Sequence, residues 1–132
     1  MTRLRLALPV AVLVLVACGG DSPTPIPQPV AGDLTVSLAT PNSQDGALLL
    51  RIVGSLEVKD VRPVGNYRVS FLTQGAITRV VITGDIAAGD ILKFRVPDVG
   101  KASSYVAFVE QAASRTTYAL LETGSYVLTI RK

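Results

Sequence analysis

The most reactive side chain in this sequence belongs to Cys18, the only cysteine, and the chain contains no histidine. A single cysteine cannot form a disulfide within the chain. Zinc sites and catalytic thiols normally use histidine as a ligand or as the general base, so both are disfavoured. The sequence therefore predicts neither a zinc site nor a catalytic thiol, indicates no cofactor, and suggests a different role for Cys18.

Carboxylates are the remaining candidates for acid–base chemistry, since a pair of them can hydrolyse a glycosidic bond. Most aspartates fall at predicted turns or strand ends, where this residue commonly accepts hydrogen bonds from nearby backbone N–H groups. The pattern favours a structural role, with a carboxylate-based hydrolase as the less favoured alternative. The residues concerned are Asp33, Asp45, Asp60, Asp85, Asp90 and Asp98.

Loop oxygens raise the question of calcium. Residues 42–46 (NSQDG), Gly84-Asp85 and Gly89-Asp90 supply hard oxygen ligands. None of these segments has the dense acidic spacing of an EF-hand loop, and ordinary turns use the same residues. Calcium binding stays open as an alternative to ordinary turns.

Aromatic side chains could stack on sugars, as they do in many carbohydrate-binding sandwiches. The chain has no tryptophan, and its tyrosines mostly fall in phase with apolar positions, which favours core packing for each. A glycan-binding module would need at least one exposed tyrosine on a flat sheet face. The tyrosines are Tyr67, Tyr105, Tyr118 and Tyr126.

The N-terminal segment has the order of an export signal. Arg3 and Arg5 precede a 12-residue apolar run, Leu6–Ala17, which is followed by small residues. A membrane-spanning helix needs about 20 apolar residues, so the run is too short to span. We interpret residues 1–17 as a removable signal peptide.

Residues Leu15-Val16-Ala17-Cys18 resemble the lipobox of bacterial lipoproteins. This resemblance implies that the sulfur of Cys18 receives a diacylglycerol, that cleavage occurs before Cys18, and that the new amino terminus is acylated. The membrane would then be the partner of Cys18, since several acyl chains make a firm anchor. In Gram-negative lipoproteins an aspartate directly after the lipidated cysteine favours retention in the inner membrane. Gly19 takes that position here and the aspartate is delayed to Asp21, so the resemblance implies the outer membrane.

Charge excludes one class of partner. Removing residues 1–17 takes two of the 13 basic residues and leaves 11 against 10 acidic ones. No cluster of Lys and Arg remains to follow a phosphate backbone. We therefore predict no nucleic-acid partner.

A proline-rich segment separates the predicted anchor from the rest of the chain. Residues 19–32 read GGDSPTPIPQPVAG, and alternating prolines hold a chain extended at about 3 Å per residue. We predict that residues 18–32 contain the lipidated cysteine and a spacer. Residues 33–132, about 100 in number, then form one domain with a single core.

Alternation of apolar and polar residues dominates that domain and predicts half-buried strands. From this pattern we expect Val69, Phe71, Phe94 and Leu128 to line one core. The alternating apolar positions are Leu34, Val36 and Leu38; Tyr67, Val69 and Phe71; Leu92, Phe94 and Val96; and Tyr126, Leu128 and Ile130.

Other segments are apolar on both faces and predict central strands, namely residues 47–53 (ALLLRIV) and 80–82 (VVI). Residues 56–58 and 105–109 are predicted as further strands, and 118–121 as a doubtful one. Residues 106–114 contain helix formers, and we expect strand to about Glu110 and irregular structure after it. Turn residues recur at short intervals, so the sequence predicts an antiparallel β-sandwich of about eight or nine strands.

The segments LTVSL, DGALLLRIVG, GDIAAGDILKFRVPD and SSYVAFVEQAA resemble the cohesin-like class of immunoglobulin-like sandwiches. The resemblance spans most of residues 33–131 and implies the fold. Cohesins proper bind a calcium-loaded dockerin through one sheet face. No matching contact face is identifiable in this chain, so the fold carries over and the partner does not.

Together these features predict a non-enzymatic, lipid-anchored protein of the bacterial envelope. Its β-sandwich would serve protein interaction or a structural role. A carbohydrate-binding module is the alternative function.

Overall fold

The structure is a computed structural model that describes residues 19–132. The predicted signal peptide and Cys18 lie outside the described residues. Residues 19–31 form neither helix nor strand, and nine strands and one 3₁₀ helix follow within the described part. The strands are β1 Gly32–Ala39, β2 Asp45–Val53, β3 Lys59–Pro63, β4 Arg68–Gln74, β5 Ile77–Ile86, β6 Gly89–Val96, β7 Val106–Ser114, β8 Leu120–Leu121 and β9 Val127–Arg131, and the 3₁₀ helix is Val99–Ser104.

The strands form two antiparallel sheets that pack face to face. One has four strands in the order β3-β6-β1-β9, and the other has five in the order β4-β5-β2-β7-β8. The predicted β-sandwich of eight or nine strands is confirmed. No helix within residues 19–132 is both long enough and apolar enough to cross a membrane.

The core lies between the sheets and is built from alternate residues of their strands. Leu34, Val36 and Leu38 of β1 are buried, as predicted. The ring of Phe94 in β6 is fully buried, and its centroid lies 5.6 Å from that of Tyr105. Burying each large apolar side chain contributes about 1.5–3 kcal/mol. The remaining core residues include Leu48, Leu50 and Ile52 of β2, Val80 and Ile82 of β5, and Ile91, Leu92 and Val96 of β6.

Phe71 corrects the predicted core. It pairs with Val80, which is fully buried, so its ring lies on the inner face, as alternation predicts. However, β4 is an edge strand, and Phe71 is 45% exposed. Its prediction as a core residue is wrong because alternation specifies which face a side chain occupies, but not where its strand lies in the sheet. Val69 and Leu128 are half-buried and pack against the core.

The predicted strand at residues 56–58 is also wrong, because β3 begins at Lys59. Lys59 pairs with Arg95 of β6, and continuing this register would place Glu57 opposite Pro97. Proline has no N–H to donate, and β6 ends just before it. The chain from Ser55 to Val58 is therefore a loop, although the side chain of Val58 is buried.

Strand β7 extends further than predicted. We expected irregular structure after about Glu110, but β7 continues to Ser114. Its pairing with β2 shifts by one residue between Leu49 and Leu50, so Glu110 forms a bulge. Pairing with β2 outweighs the helix propensity of Gln111 and Ala112. The doubtful strand near its end is real but short, Leu120–Leu121.

Candidate interaction surface

The outer face of the five-stranded sheet is lined by apolar side chains. Leu48, Leu50 and Ile52 of β2 point into the core, so the intervening residues point outward. Leu49 pairs with Val81 on one side and Gln111 on the other. We call the apolar residues of this surface the outer apolar face. They are Leu49, Leu72, Val81, Val106, Phe108 and Leu120.

These residues are exposed to an unusual degree for their type. Phe108 is 46% exposed, Leu72 61% and Leu120 75%. The outer apolar face, in which Leu49 is half-buried and the other five residues are exposed, includes residues from all five strands of one sheet, so it is a surface rather than a set of isolated side chains. The sandwich has only two layers, and no element of residues 19–132 packs over this sheet as a third layer.

A charged group lies within the outer apolar face. Arg51 and Arg79 pair directly across β2 and β5. The carboxylate of Glu110 lies 3.2 Å from Arg51 Nε and 3.5 Å from Arg79 Nε, and offsets their repulsion. The contact between Arg51 Nε and Glu110 is an ion pair without hydrogen-bond geometry, and Arg51 Nε has no hydrogen-bond partner. The guanidinium carbon of Arg51 is 5.6 Å from the centroid of the Phe108 ring, a cation–π distance.

The outer face of the four-stranded sheet is different, because it is covered by paired charges. Asp33 forms ion pairs with Arg62 and, at 3.9 Å, with Arg95. Asp90 forms an ion pair of 2.6 Å with Arg131. The two outer surfaces thus differ, because the first has paired charges and the second combines exposed apolar side chains with the Arg51, Arg79 and Glu110 cluster.

A cleft of about 420 Å³ opens at the end of the five-stranded sheet, beside the apolar face. Asp85 and Arg115 both line this cleft and form an ion pair, with 2.5 Å between Asp85 Oδ1 and Arg115 Nη1. Arg115 also donates a hydrogen bond of 3.1 Å to Gln44 Oε1. Gly46 allows its backbone to lie close to that of Arg115, since a Cβ atom at position 46 would lie 2.6 Å from the Arg115 Cα atom. The cleft therefore contains an arginine whose charge is already neutralised.

Tyr118 also lines this cleft and corrects another prediction. Its backbone φ is 57° and its side chain is 85% exposed, so it is not a core residue. Tyr105 and Tyr126 are buried and Tyr67 is half-buried, which agrees with the packing role predicted for them. The strand predicted at residues 118–121 begins only at Leu120, so Tyr118 lies before β8 and outside the alternation that would have buried it.

The predicted aspartates do lie at strand ends and turns, but most of them bind side chains rather than backbone. Asp98 alone follows the expected pattern, capping the 3₁₀ helix by accepting a 2.9 Å bond from Gly100 N–H. Ser37 and Arg131 lower the pKa of Asp90, whereas a general acid requires a raised pKa. No group of three or more acidic, histidine or cysteine side chains in residues 19–132 is placed to hold a metal.

The loop proposed for calcium contains a buried polar cluster instead. Asp45 is fully buried, and its two carboxylate oxygens accept hydrogen bonds from Tyr126 at 2.5 Å and Thr40 at 2.7 Å. Asn42 donates to the Tyr126 hydroxyl at 2.8 Å. These contacts join the turn between β1 and β2 to the start of β9, which is a structural task.

Sequence reasoning missed the outer apolar face although its signal was present. Residues 47–53 and 80–82 are apolar on both faces, and we interpreted this as the mark of central strands. Both segments do lie in central strands, β2 and β5. In a two-layer sandwich, however, only one face of such a strand meets the core, so the second apolar face meets solvent.

Comparison of the chain with protein-family models, with curated proteins and with solved structures found no match.

Proposed function

We propose that this chain is a non-enzymatic, lipid-anchored protein of the bacterial envelope that binds a protein partner through the outer apolar face. The observation that carries the proposal is the contrast between the two outer surfaces. One is covered by ion pairs and suits water, and the other exposes leucine, valine and phenylalanine side chains. Contiguous exposed apolar surface of this kind commonly marks a contact site.

The composition of the surface indicates the chemistry of the partner. Phenylalanine and arginine are enriched at protein interfaces, and Phe108 and Arg51 lie together here. Arg51 and Arg79 share a single carboxylate, that of Glu110, and this leaves a positive charge within the apolar surface. The partner we expect is a protein surface with apolar residues around an acidic one.

Anchoring is supported by the sequence Leu15–Cys18 and by the spacer that follows it. We assign residues 1–17 to the signal peptide, 18–32 to the lipidated Cys18 and tether, and 33–132 to the sandwich. Thirteen extended residues, 19–31, would hold the domain up to about 40 Å from the membrane. Gly19 favours the outer membrane, and the cohesin-like subclass of the sandwich belongs to the same proposal.

Site-specific photo-cross-linking in intact cells of the natural host tests the binding surface. A photoreactive phenylalanine analogue replaces Val81 on the outer apolar face. The matched control places it at Lys93, an exposed residue on the outer face of the other sheet. The proposal predicts an adduct with a second protein at Val81 and none at Lys93. No adduct at Val81, or the same adduct at both sites, would contradict it.

Carbohydrate binding is the second candidate, and Tyr118 favours it. Its exposed ring borders a cleft that also contains Asp85, and sugar sites combine an aromatic face with polar groups. Binding to a glycan array that is lost in Tyr118→Ala and retained in Phe108→Ala would establish this function. If the unaltered chain binds no glycan on the array, the glycans of that array are excluded as ligands.

A further inference from the structure

The two sheets leave four edge strands, β3, β9, β4 and β8. An edge strand presents unpaired N–H and C=O groups that can pair with another strand. Proteins normally block such edges with lysine, proline, bulges or very short strands. The four edges of this sandwich differ in how well they are blocked.

Three of the edges have such protection or are covered. β3 contains Lys59 and Pro63, and a bulge at which Asp60 has a φ of 48°. β8 has only two residues. β9 packs beside β7 and the 3₁₀ helix and ends at Arg131, which is followed by Lys132.

Strand β4 contacts β3 of the other sheet, as β9 contacts β7, but it has none of the protective sequence features. Its seven residues, RVSFLTQ, include no proline or lysine, and they pair with β5 without a bulge. Phe71 on the inner face and Leu72 on the outer face are both exposed. An unblocked edge with apolar side chains exposed on both faces is the strand most suited to pairing.

We propose that β4 pairs antiparallel with β4 of a second copy of this chain, so that two five-stranded sheets become one continuous sheet. In an antiparallel ladder, two residues that pair lie on the same face of the sheet. The two-fold axis that relates the copies is perpendicular to the continuous sheet, so it must pass beside a residue that pairs with the same residue of the second copy. The centre of Arg68–Gln74 is Phe71. Phe71 then faces Phe71, and Ser70 faces Leu72.

This register is self-complementary, which is why the occupant is a second copy rather than a different protein. Arg68 is the only charged residue of β4, and it would face Gln74 of the second copy. The two Arg68 residues would lie about 20 Å apart along the ladder, too far for strong repulsion. The half-exposed Phe71 rings would cover each other, and the outer apolar faces would join into one larger surface.

Disulfide trapping tests the register in the full chain, purified in detergent. Residues that pair across an antiparallel ladder have Cα atoms about 4.5–5.5 Å apart, which suits a disulfide. Phe71→Cys is expected to give a covalent dimer under mild oxidation. Val127→Cys is the matched control on another edge strand, since Val127 is 56% exposed. The unaltered chain shows whether Cys18 by itself forms a disulfide under the same oxidation.

Sedimentation of the same preparations gives the second readout. The unaltered chain is expected to sediment as a dimer, and Leu72→Lys as a monomer with an unchanged circular dichroism spectrum. Val127→Lys should remain dimeric. The proposal is overturned if the unaltered chain is monomeric up to about 100 μM, or if Phe71→Cys and Val127→Cys cross-link equally. A disulfide between Phe71→Cys and a different protein would also overturn the dimer proposal. Failure of the photo-cross-link at Val81 would count against the proposed binding surface and would not affect the dimer proposal.

Discussion

Asp45 is a fully buried carboxylate whose two oxygens are both occupied by hydroxyl donors. Burial of a charged group is costly unless hydrogen bonds replace water. Tyr126 provides one of those bonds from the far end of the chain and links residues that are 81 positions apart. The sequence placed Tyr126 in the core through its phase, but it held no sign that the hydroxyl would bind Asp45.

Tyr126→Phe is expected to lower the free energy of unfolding by about 1–3 kcal/mol, because it leaves a buried carboxylate oxygen without its donor. Denaturant unfolding of the full chain in detergent measures the loss. Tyr105→Phe is the matched control, since the Tyr105 hydroxyl donates only to the Leu56 carbonyl, at 3.2 Å. An equal or larger loss in the control would contradict the role given to Asp45.

The same tyrosine predicts a pH dependence. Burial, and then the hydrogen bond to Asp45, raise the pKa of Tyr126 above its ordinary value of 10.0. A raised pKa gives stability that is fully present below the unfolded value and is lost as the pH rises through the folded value. Stability should therefore fall above about pH 10, and less steeply in Tyr126→Phe than in the unaltered chain. Identical alkaline slopes would be inconsistent with this account.

Phe94 and Phe71 have the same side chain in opposite surroundings. Phe94→Ala is expected to cost about 3–5 kcal/mol, enough to unfold many domains of this size. In the monomeric Leu72→Lys background, Phe71→Ala should cost much less, because the Phe71 ring is 45% exposed in a single copy. Thermal unfolding of both variants measures the difference. Equal losses would mean that β4 is not at the edge of the sheet.

Strand β7 shows what sequence patterns can and cannot predict about an element. The apolar run at residues 105–109 predicted a strand, and pairing with β2 extends it to Ser114 through the bulge at Glu110. A bulge depends on the register with the neighbouring strand, which lies far away in the sequence. The alternating strands and their inner faces were predictable, whereas edge positions, bulges and the limits of β3 required the sheet order.

After the bulge the faces of β7 alternate again, with Gln111 outward and Ala112 inward. Ala112→Asp is expected to cost about 3 kcal/mol or more, because it places an unpaired charge in the core. Gln111→Asp on the outer face should change stability by less than about 1 kcal/mol. Circular dichroism during denaturant unfolding gives both values. Tolerance of both substitutions would indicate an irregular chain after Glu110, as the sequence alone suggested.

At the scale of the whole molecule, each of the two sheets covers only one face of the other, so each has a second face that meets solvent. Ion pairs make the second face of the four-stranded sheet compatible with water, and the second face of the five-stranded sheet exposes apolar side chains around a single charged cluster. The sequence contained both patterns, but they could not be assigned to surfaces without the strand order. The proposed lipid anchor is different, because it is predicted from Leu15–Cys18 alone and depends on no feature of the sandwich.

The proposed location depends on the claim that Cys18 carries lipid. Mass spectrometry of the protein extracted from host membranes tests it directly. The account predicts a mature chain that begins at Cys18 with a diacylglycerol on its sulfur and an acylated amino terminus. Cys18→Ser should accumulate as unprocessed precursor with the sandwich still folded, because the tether separates the anchor from the core. A soluble product with an unmodified Cys18 would contradict the account.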